Sequence, residues 1–523
     1  MSTTDTEPAD LEAAISTLAA NADLLSRTSS RDLADLLARV RLDTWAVAPD
    51  WHRQSCDAKG LEPHSAAGAE ELMSGPVMFA RLAQVYERSL RRPLTDFGES
   101  RVPVVPASWD ERLIFTGVRA EVWRGENLAP TPPPGVTLVL GAGNVSSLTP
   151  RDVLHHLVVE RRVVLVKANP VNDYLTSWWE RALAAFVELG VVRFVRGGAA
   201  VGERALADPR VSAVHVTGSA TTAERIRSRL RPGTVFTSEL GSVTPVILVP
   251  GHWRPREMRY QVDHVATMLV NNAGCNCLTP RVLVLSSAWA QRGEFLRLLA
   301  ARLATLGPRP AFYPGVRERH ADFLTTHPNA TLVGVTSANG LPWTMVEGAR
   351  PDDEDPAYRE EFFCPGVVVT TIDEADPARF LVAAREFVNT RLWGSLATTL
   401  LIDPRTRREL GVDDEVRRTI ESLRYGVVSV NLFHGLGIGL GSTTWGAAPS
   451  GDGREGRGVV GNGLLVSKAV RSVLEGPFVT PWTPAWFITR TRSEAIAWRF
   501  LSWLTRRRWR DLVWLVALVV LPG

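Results

Sequence analysis

From about residue 113 the chain becomes a series of short apolar, β-branched runs (LIFTGVRAEVW, VTLVLG, RVVLVK, VVRFVRG, AVHVTG, VFTSELG, PVILVP) separated by helix-length stretches such as TSWWERALAAFVELG. Strand, helix, strand at this spacing implies a parallel sheet whose two faces are covered. A second region of the same texture begins near 258. MRYQVDHVATMLVNNAG reads as a helix, RVLVLS as a strand and GEFLRLLAARLATLG as a helix, and the pattern runs to about 435. Ahead of both, LEAAISTLAANADLL, RDLADLLARVRLDTWA and MFARLAQVYERSL carry helical spacing, so 11–100 is a helical lead-in and residues 1 to about 10 are expected to be disordered. The Pro-rich APTPPPG is a connector, and no repeat is evident.

A chain of 523 residues suits two or three domains. Its 59 Lys+Arg against 56 Asp+Glu leave a charge of +3, which gives no field for nucleic acid. Four cysteines are too few for a secreted disulfide scaffold, and MSTTDTEPAD lacks the basic and apolar parts of a signal peptide; a reducing, cytoplasmic compartment is expected. At the other end, WRFLSWLTRRRWRDLVWLVALVVLPG sets arginines and tryptophans beside an apolar run too short to span a bilayer. Two readings of 495–523 stand side by side: an interfacial anchor peripheral to the inner face of a membrane, and a terminal helix packed on its own domain or a partner subunit.

Several glycine turns invite labels. LVLGAGNVSSL gives G-x-G-x-x-S, short of the dinucleotide fingerprint in its last position, and the following strand ends in Lys167 with no acid. GLGIGLG is neither that pattern nor a phosphate loop and reads as a flexible turn. In VHVTGSATTAERI a strand ends on Thr217, Gly218 and Ser219 where a helix begins; such an N-terminus holds phosphate, or Ser219 is an ordinary cap.

NNAGCNCLTPR places Cys275 and Cys277 one residue apart. Zinc needs about four ligands and no second pair supplies them, so no metal is expected. A disulfide within C-x-C is awkward in geometry. A nucleophile needs a base and an oxyanion site, and Glu239 in SELGSVTP closes an apolar run where side chains of such sheets reach the crevice.

Together these residues resemble the aldehyde dehydrogenase superfamily. Asn144 in LGAGNVSSLTP is similar to that family's asparagine turn, Lys167 in VVLVKANP to its lysine strand, VTGSATTAERI to its F-T-G-S helix start and SELGSVTP to its E-L-G-G-K-x-P. NNAGCNCLTPR resembles N-x-G-Q-x-C-x-x-x-R, EEFFCPGVVV resembles E-E-x-F-G-P, and YGVVSVNLF resembles the strand closing the catalytic domain. The resemblance implies an α/β chain of two parallel-sheet domains, with a small oligomerisation element and the helical lead-in. Its expected parts are 1–112 helical, 113–240 binding NAD or NADP, 241–435 catalytic, 436–494 returning to the cofactor and oligomerisation region, and 495–523 the tail.

The same resemblance implies roles. Cys277 attacks an aldehyde, Asn144 and the Cys277 N–H hold the oxyanion, and Glu239 activates the hydrolytic water. Lys167 contacts the adenine ribose and Ser219, in the Thr217-Gly218-Ser219 turn, the pyrophosphate; Glu361 contacts the nicotinamide ribose and Phe363 packs near its ring. The product is a carboxylic acid, the substrate an apolar or fatty aldehyde, and the assembly a homodimer or homotetramer in which AEVWRGENLAPTP and a late strand near PFVTPWTPAWFIT pair across subunits. Pro170 stands where many relatives read the ribose with an acid, so NAD and NADP both remain open. Cys275, Ser242 and Cys364 replace the usual Gln, Gly and Gly, and the late Gly-rich loop is blurred. A CoA-acylating enzyme or acyl-thioester reductase and a non-catalytic binding protein are the alternatives. Cys275, if its segment is extended, shares the direction of Cys277 and approaches the site.

Overall fold

The computed structural model describes residues 5–94, 98–125, 132–449 and 455–520. Two sheets organise it. In the first, parallel strands lie in the order Val235–Leu240, Val211–Gly218, Val136–Leu140, Val163–Lys167, Val192–Val195, with the short strand Gly456–Arg457 antiparallel on the outer edge. The chain starts in the middle, builds outward to Val195, then crosses back to Val211. That reversal opens a crevice at the carboxyl ends of the strands. Val163 to Val166 are fully buried, because helices cover both faces.

The helices Pro8–Ala20 and Ser30–Lys59 share that sheet's core through Leu11, Ile15, Leu33 and Leu37. Order therefore begins earlier than expected: a helix starts at Pro8, and Thr6 is tied to Arg196 by two hydrogen bonds, Thr6 N–H to its carbonyl at 3.1 Å and Arg196 N–H to the Thr6 hydroxyl at 2.8 Å. Residues 1–4 lie outside the described residues.

After Leu240 the chain passes directly into the second sheet at Thr244. Its order is Arg101–Val105, Arg119–Arg124, Ala469–Glu475, Val427–Val430, Ala397–Leu401, Thr244–Leu248, Pro280–Ser286, Gly366–Ile372, Trp343–Ala349, Thr331–Val333. The strands from Ala469–Glu475 to Trp343–Ala349 are parallel, and the outer ones are antiparallel.

Three expectations change here. LIFTGVRAEVW is not one strand: Trp109–Ile114 is helical, and the strand starts at Arg119 beyond Gly117, whose φ of 79° turns the chain. No strand forms at PFVTPWTPAWFIT, where Pro477, Pro481 and Pro484 remove ladder donors; the late strand is Ala469–Glu475, and it pairs with Arg119–Arg124 within the same chain. GLGIGLG is clamped, not free. Leu436–Gly439 forms a helical turn, Arg151 donates to the Ile438 carbonyl and Arg81 to that of Leu440, each at 2.8 Å, and a Cβ on Gly437 would press to 2.8 Å of Val427. Parts of APTPPPG, of AEVWRGENLAPTP and of the late Gly-rich loop lie outside the described residues.

The tail is a helical hairpin, Ser493–Arg506 and Trp509–Val520, turned at Arg507 (φ 54°). Its first helix buries Ala497, Leu501 and Leu504 in a core with Ala48, Leu72 and Ala80. Buried Asp511 joins the two helices, accepting from Ser502 at 2.6 Å and Arg499 at 3.1 Å. Packing on its own domain is thus what the first helix does. The second helix turns Leu512 and Leu515 inward and leaves Trp509, Val513, Trp514 and Val520 exposed. Among the described residues no helix is long and apolar enough to cross a membrane.

Candidate active site

A polar cleft of about 640 Å³ lies in the crevice of the first sheet and reaches across to the second. All nine residues singled out from the sequence line it. Asn144, Lys167, Thr217, Gly218, Ser219 and Glu239 come from the strand ends and turns of the first sheet; Cys277, Glu361 and Phe363 face them. The strand ends deliver these side chains because the turn after each parallel strand opens on the same side.

The turn that carries Cys277, the expected nucleophile, is tightly wound. Asn272, Ala273 and Gly274 are successively left-handed, with φ of 50°, 58° and 73°. A Cβ on Gly274 would stand 3.0 Å from the Cys364 carbonyl, so glycine is required there, while Ala273 is held against its preference. Arg281, wholly buried, braces the turn by donating to the carbonyls of Gly274 and Cys364, each at 2.8 Å. The winding separates the two sulfurs. Cys275 is buried in the core with Val243, Ile247 and Cys364, whereas Cys277 is half-buried and lines the cleft. The expectation that Cys275 approaches the site fails, because the segment is wound and not extended.

Asn144 donates from Nδ2 to the Cys275 carbonyl at 3.2 Å, tying the asparagine turn to the nucleophile turn. Asn272 reinforces this by donating to the carbonyls of both Asn144 and Cys275 at 2.9 Å. Lys59, at the end of the helix Ser30–Lys59, then closes the knot: its ammonium donates to Glu71 at 2.6 Å, to Asn272 Oδ1 at 2.9 Å and to the Asn144 carbonyl at 3.0 Å. Sequence reading missed it, since nothing local marks a lysine at a helix end as part of a site. Lys59→Met would leave the Glu71 carboxylate buried without its cation, an expected loss of about 3–5 kcal/mol measurable by denaturant unfolding. The double change Lys59→Met, Glu71→Leu should recover much of that stability without restoring turnover, because the tether to Asn144 and Asn272 is still gone.

Charge in the cleft is set by burial. Glu239 is 4% exposed, accepts from the Trp445 indole N–H at 2.7 Å through Oε1, and has no partner at Oε2 among the described residues. Burial, with the Asp152 carboxylate nearby, pushes its pKa up to about 7. Burial likewise lifts Glu361 to about 7 against the pull of Arg281 and Arg319. The Cys277 thiol is raised well above its ordinary value, by burial first and then by the Glu239 and Glu361 carboxylates. A thiol so placed needs a base to take its proton.

The cofactor end of the cleft fits a dinucleotide. Lys167 ends its strand almost buried, and desolvation lowers its pKa. Gly218 leaves open space where a side chain would stand. A Cβ at Gly241 would displace the Glu361 carboxylate. Two side chains of the turn are engaged locally, Ser219 as the ordinary cap that is one of its two readings. The Thr217 hydroxyl turns inward to Asp152 at 3.1 Å, and the Ser219 hydroxyl accepts from the Thr222 N–H at 3.2 Å as a helix cap. What remains toward the cleft is the backbone N–H set and positive end of the helix Ala220–Arg227. Arg225, Arg229, Tyr313 and Arg319 also line the cleft without having been singled out.

A second cavity, of about 220 Å³, meets the first at Leu148, Glu239 and Cys277. Its walls are apolar, with Phe115, Leu278, Leu436, Trp486, and Phe500 and Leu515 from the tail hairpin. The sulfur and the carboxylate stand at the junction of a polar and an apolar chamber.

Residues 124–317 match the family model described as the aldehyde dehydrogenase family. No curated protein matches the chain. Similar solved structures include aldehyde dehydrogenase 21 from Physcomitrella patens in complex with succinate, 14% identical with 90% of each chain covered and a TM-score of 0.65. The P. syringae indole-3-acetaldehyde dehydrogenase in complex with NAD+ is 16% identical over 90% of each chain, with a TM-score of 0.64. An NADP-dependent glyceraldehyde-3-phosphate dehydrogenase from Bacillus halodurans, complexed with NADP, is 15% identical over 90% of this chain and 92% of its own, with a TM-score of 0.64. The chain thus shares the fold of these enzymes, and its residues 124–317, which include the turn carrying Cys277, match the model of the aldehyde dehydrogenase family.

Proposed function

We propose that the protein oxidises an apolar aldehyde to the carboxylic acid, with NAD or NADP held in the polar cleft. The observation that carries this is the position of Cys277 and Glu239 where the polar cleft and the apolar cavity meet. Glu239 takes the thiol proton, and the Cys277 sulfur adds to the aldehyde carbonyl to give a thiohemiacetal. Asn144 Nδ2 and the Cys277 backbone N–H hold the developing oxyanion. A dinucleotide bound in the cleft supplies the hydride acceptor. Lys167 and Glu361 orient it by its riboses, the N-terminus of the helix Ala220–Arg227 at Ser219 receives its pyrophosphate, with Thr217 and Gly218 shaping that turn, and Phe363 packs near its ring. Glu239 then removes a proton from water, hydroxide adds to the Cys277 thioester, and collapse breaks the C–S bond and frees the carboxylate. A carboxylate with its pKa near 7 beside the sulfur favours water over a thiol as acyl acceptor.

The test is a panel of aldehydes with NAD or NADP, with and without CoA, following the reduced cofactor. Turnover should favour apolar aldehydes and need no CoA. Product formed only with CoA reverses the acceptor, and neither turnover nor cofactor binding returns the chain to a binding role. Two or four copies are the expected assembly, to be measured by analytical ultracentrifugation.

The exposed Trp509, Val513 and Trp514 beside exposed Arg508 and Arg510 support contact with an anionic membrane surface. Since the first tail helix is part of the core, the test is substitution and not deletion. Trp509→Ser, Trp514→Ser protein should lose cosedimentation with phosphatidylserine vesicles while keeping its fold. Equal recovery of both proteins in the supernatant makes the patch a structural cover only.

A further inference from the structure

Glu239 is the residue at which three cavities meet. Besides the polar cleft and the apolar chamber it lines a third, of about 10 Å³, room for one water. Its walls carry a cluster of polar side chains beside apolar ones such as Trp445 and Val460: His155 and His156 from the helix Leu148–Val158, Glu160 just beyond it, and His215 and Thr237 from adjacent strands, with exposed Gly458 at the outer end. His215 and Thr237 are paired across the sheet, and Thr217 and Glu239 are the next pair on the same face.

Two buried atoms on this wall have no hydrogen-bond partner among the described residues, Oε2 of Glu239 and Nε2 of His156. Buried polar atoms are seldom left so, and a single water can serve both. The other ring nitrogen of His156, Nδ1, lies 2.7 Å from Glu160 Oε2, and with Nδ1 donating to that carboxylate the neutral ring presents Nε2 as an acceptor. The Glu160 side chain is 14% exposed, so the pair leads from the interior to solvent. The other charged and titratable groups facing this path are Arg151, Asp152 and His155 from the same helix, Arg162 beyond Glu160, His215 from the sheet and Arg457 from the edge strand.

The need for such a path follows from the proposed reaction, on which this inference rests. Glu239 collects the thiol proton and then a water proton in each turnover. With dinucleotide in the cleft and aldehyde in the apolar chamber, two of its three openings are filled. We propose that a water in the third cavity, His156 and Glu160 form the route by which protons leave Glu239. The proton passes from the Glu239 carboxyl to the water, and a water proton passes to His156 Nε2, giving an imidazolium beside the Glu160 carboxylate. The imidazolium returns a proton to solvent at the Glu160 end, and exchange between its two nitrogens restores the starting tautomer. No bond to carbon changes and nothing is oxidised. His156 and Glu160 act through Glu239 and are positioning residues.

The experiment uses the full-length protein and 4-nitrophenyl acetate, an activated ester that acylates a reactive thiol directly. The nitrophenolate burst reads acylation of Cys277, and the steady phase reads loss of the acyl group to water, both measured with oxidised NAD or NADP filling the cleft. His156→Gln should keep the burst and slow the steady phase about 10-fold, below the full worth of a general base, and added imidazole should restore the rate. Glu160→Gln, nearer the surface and less disruptive to packing, should slow the same phase by less. A steady phase in both variants equal to wild type overturns the proposal, as does a slow phase that imidazole leaves unchanged. A wild-type protein with no burst overturns the nucleophile assignment and this proposal with it, whereas a normal burst without aldehyde oxidation faults only the choice of substrate.

Discussion

Serine at position 277 is expected to abolish aldehyde oxidation, a loss on the order of 10⁴-fold or more, while serine at 275 leaves turnover largely intact. The Cys277 thiol stands at the junction of the two chambers and can be deprotonated by Glu239; a serine hydroxyl there is far less acidic in the same buried setting. Cys275 is enclosed by core side chains, its Sγ 3.9 Å from the Ala273 carbonyl. A hydroxyl in that apolar position costs about 1–3 kcal/mol of stability, so Cys275→Ser should lower the unfolding midpoint and spare kcat. Steady-state appearance of reduced cofactor and a denaturant titration on both variants separate the two effects. The opposite pattern would mean that the nucleophile has been assigned to the wrong sulfur.

Glu239→Gln should lower kcat about 10²–10⁴-fold, the usual worth of a positioned base. Its pH dependence is the sharper readout. The working form is the carboxylate, and burial raises its pKa to about 7, so the wild-type rate should climb as pH rises through about 7 and level off above it. The Gln variant should show no such limb. Trp445 donates to Glu239 Oε1 and favours the ionised form. Trp445→Phe should therefore move the limb to higher pH. A wild-type profile flat from pH 6 to 8, with full activity retained in Glu239→Gln, would remove Glu239 from the chemistry.

The residues legible in the sequence are those whose role is prepared locally. Lys167 ends a strand, Ser219 opens a helix after one, and Asn144 sits in the turn after another; hydrophobic run plus turn gave those local positions, and the family resemblance marked Asn144 and Lys167 for the site. The illegible parts are long-range. Trp445 reaches Glu239 across 206 residues from a stretch whose pattern is blurred, and Lys59 reaches Asn272 across 213. The direction of Cys275 could not be read, because three consecutive left-handed residues are not a propensity that Asn-Ala-Gly announces. The looseness expected of GLGIGLG was wrong for the same kind of reason: its rigidity comes from Arg81 and Arg151, which lie far off in sequence.

By itself the sequence determined the parallel-sheet architecture, because side-chain periodicity and turn chemistry act within a few residues, while the set of site residues was marked by motifs that resemble those of a known family. Only the tertiary structure decided which sulfur is buried, that Glu239 stands where three cavities meet, and that the tail hairpin is half core and half exposed surface. Those outcomes depend on desolvation and on partners brought from distant parts of the chain. Such effects are properties of the packed whole, and no short stretch of residues carries them.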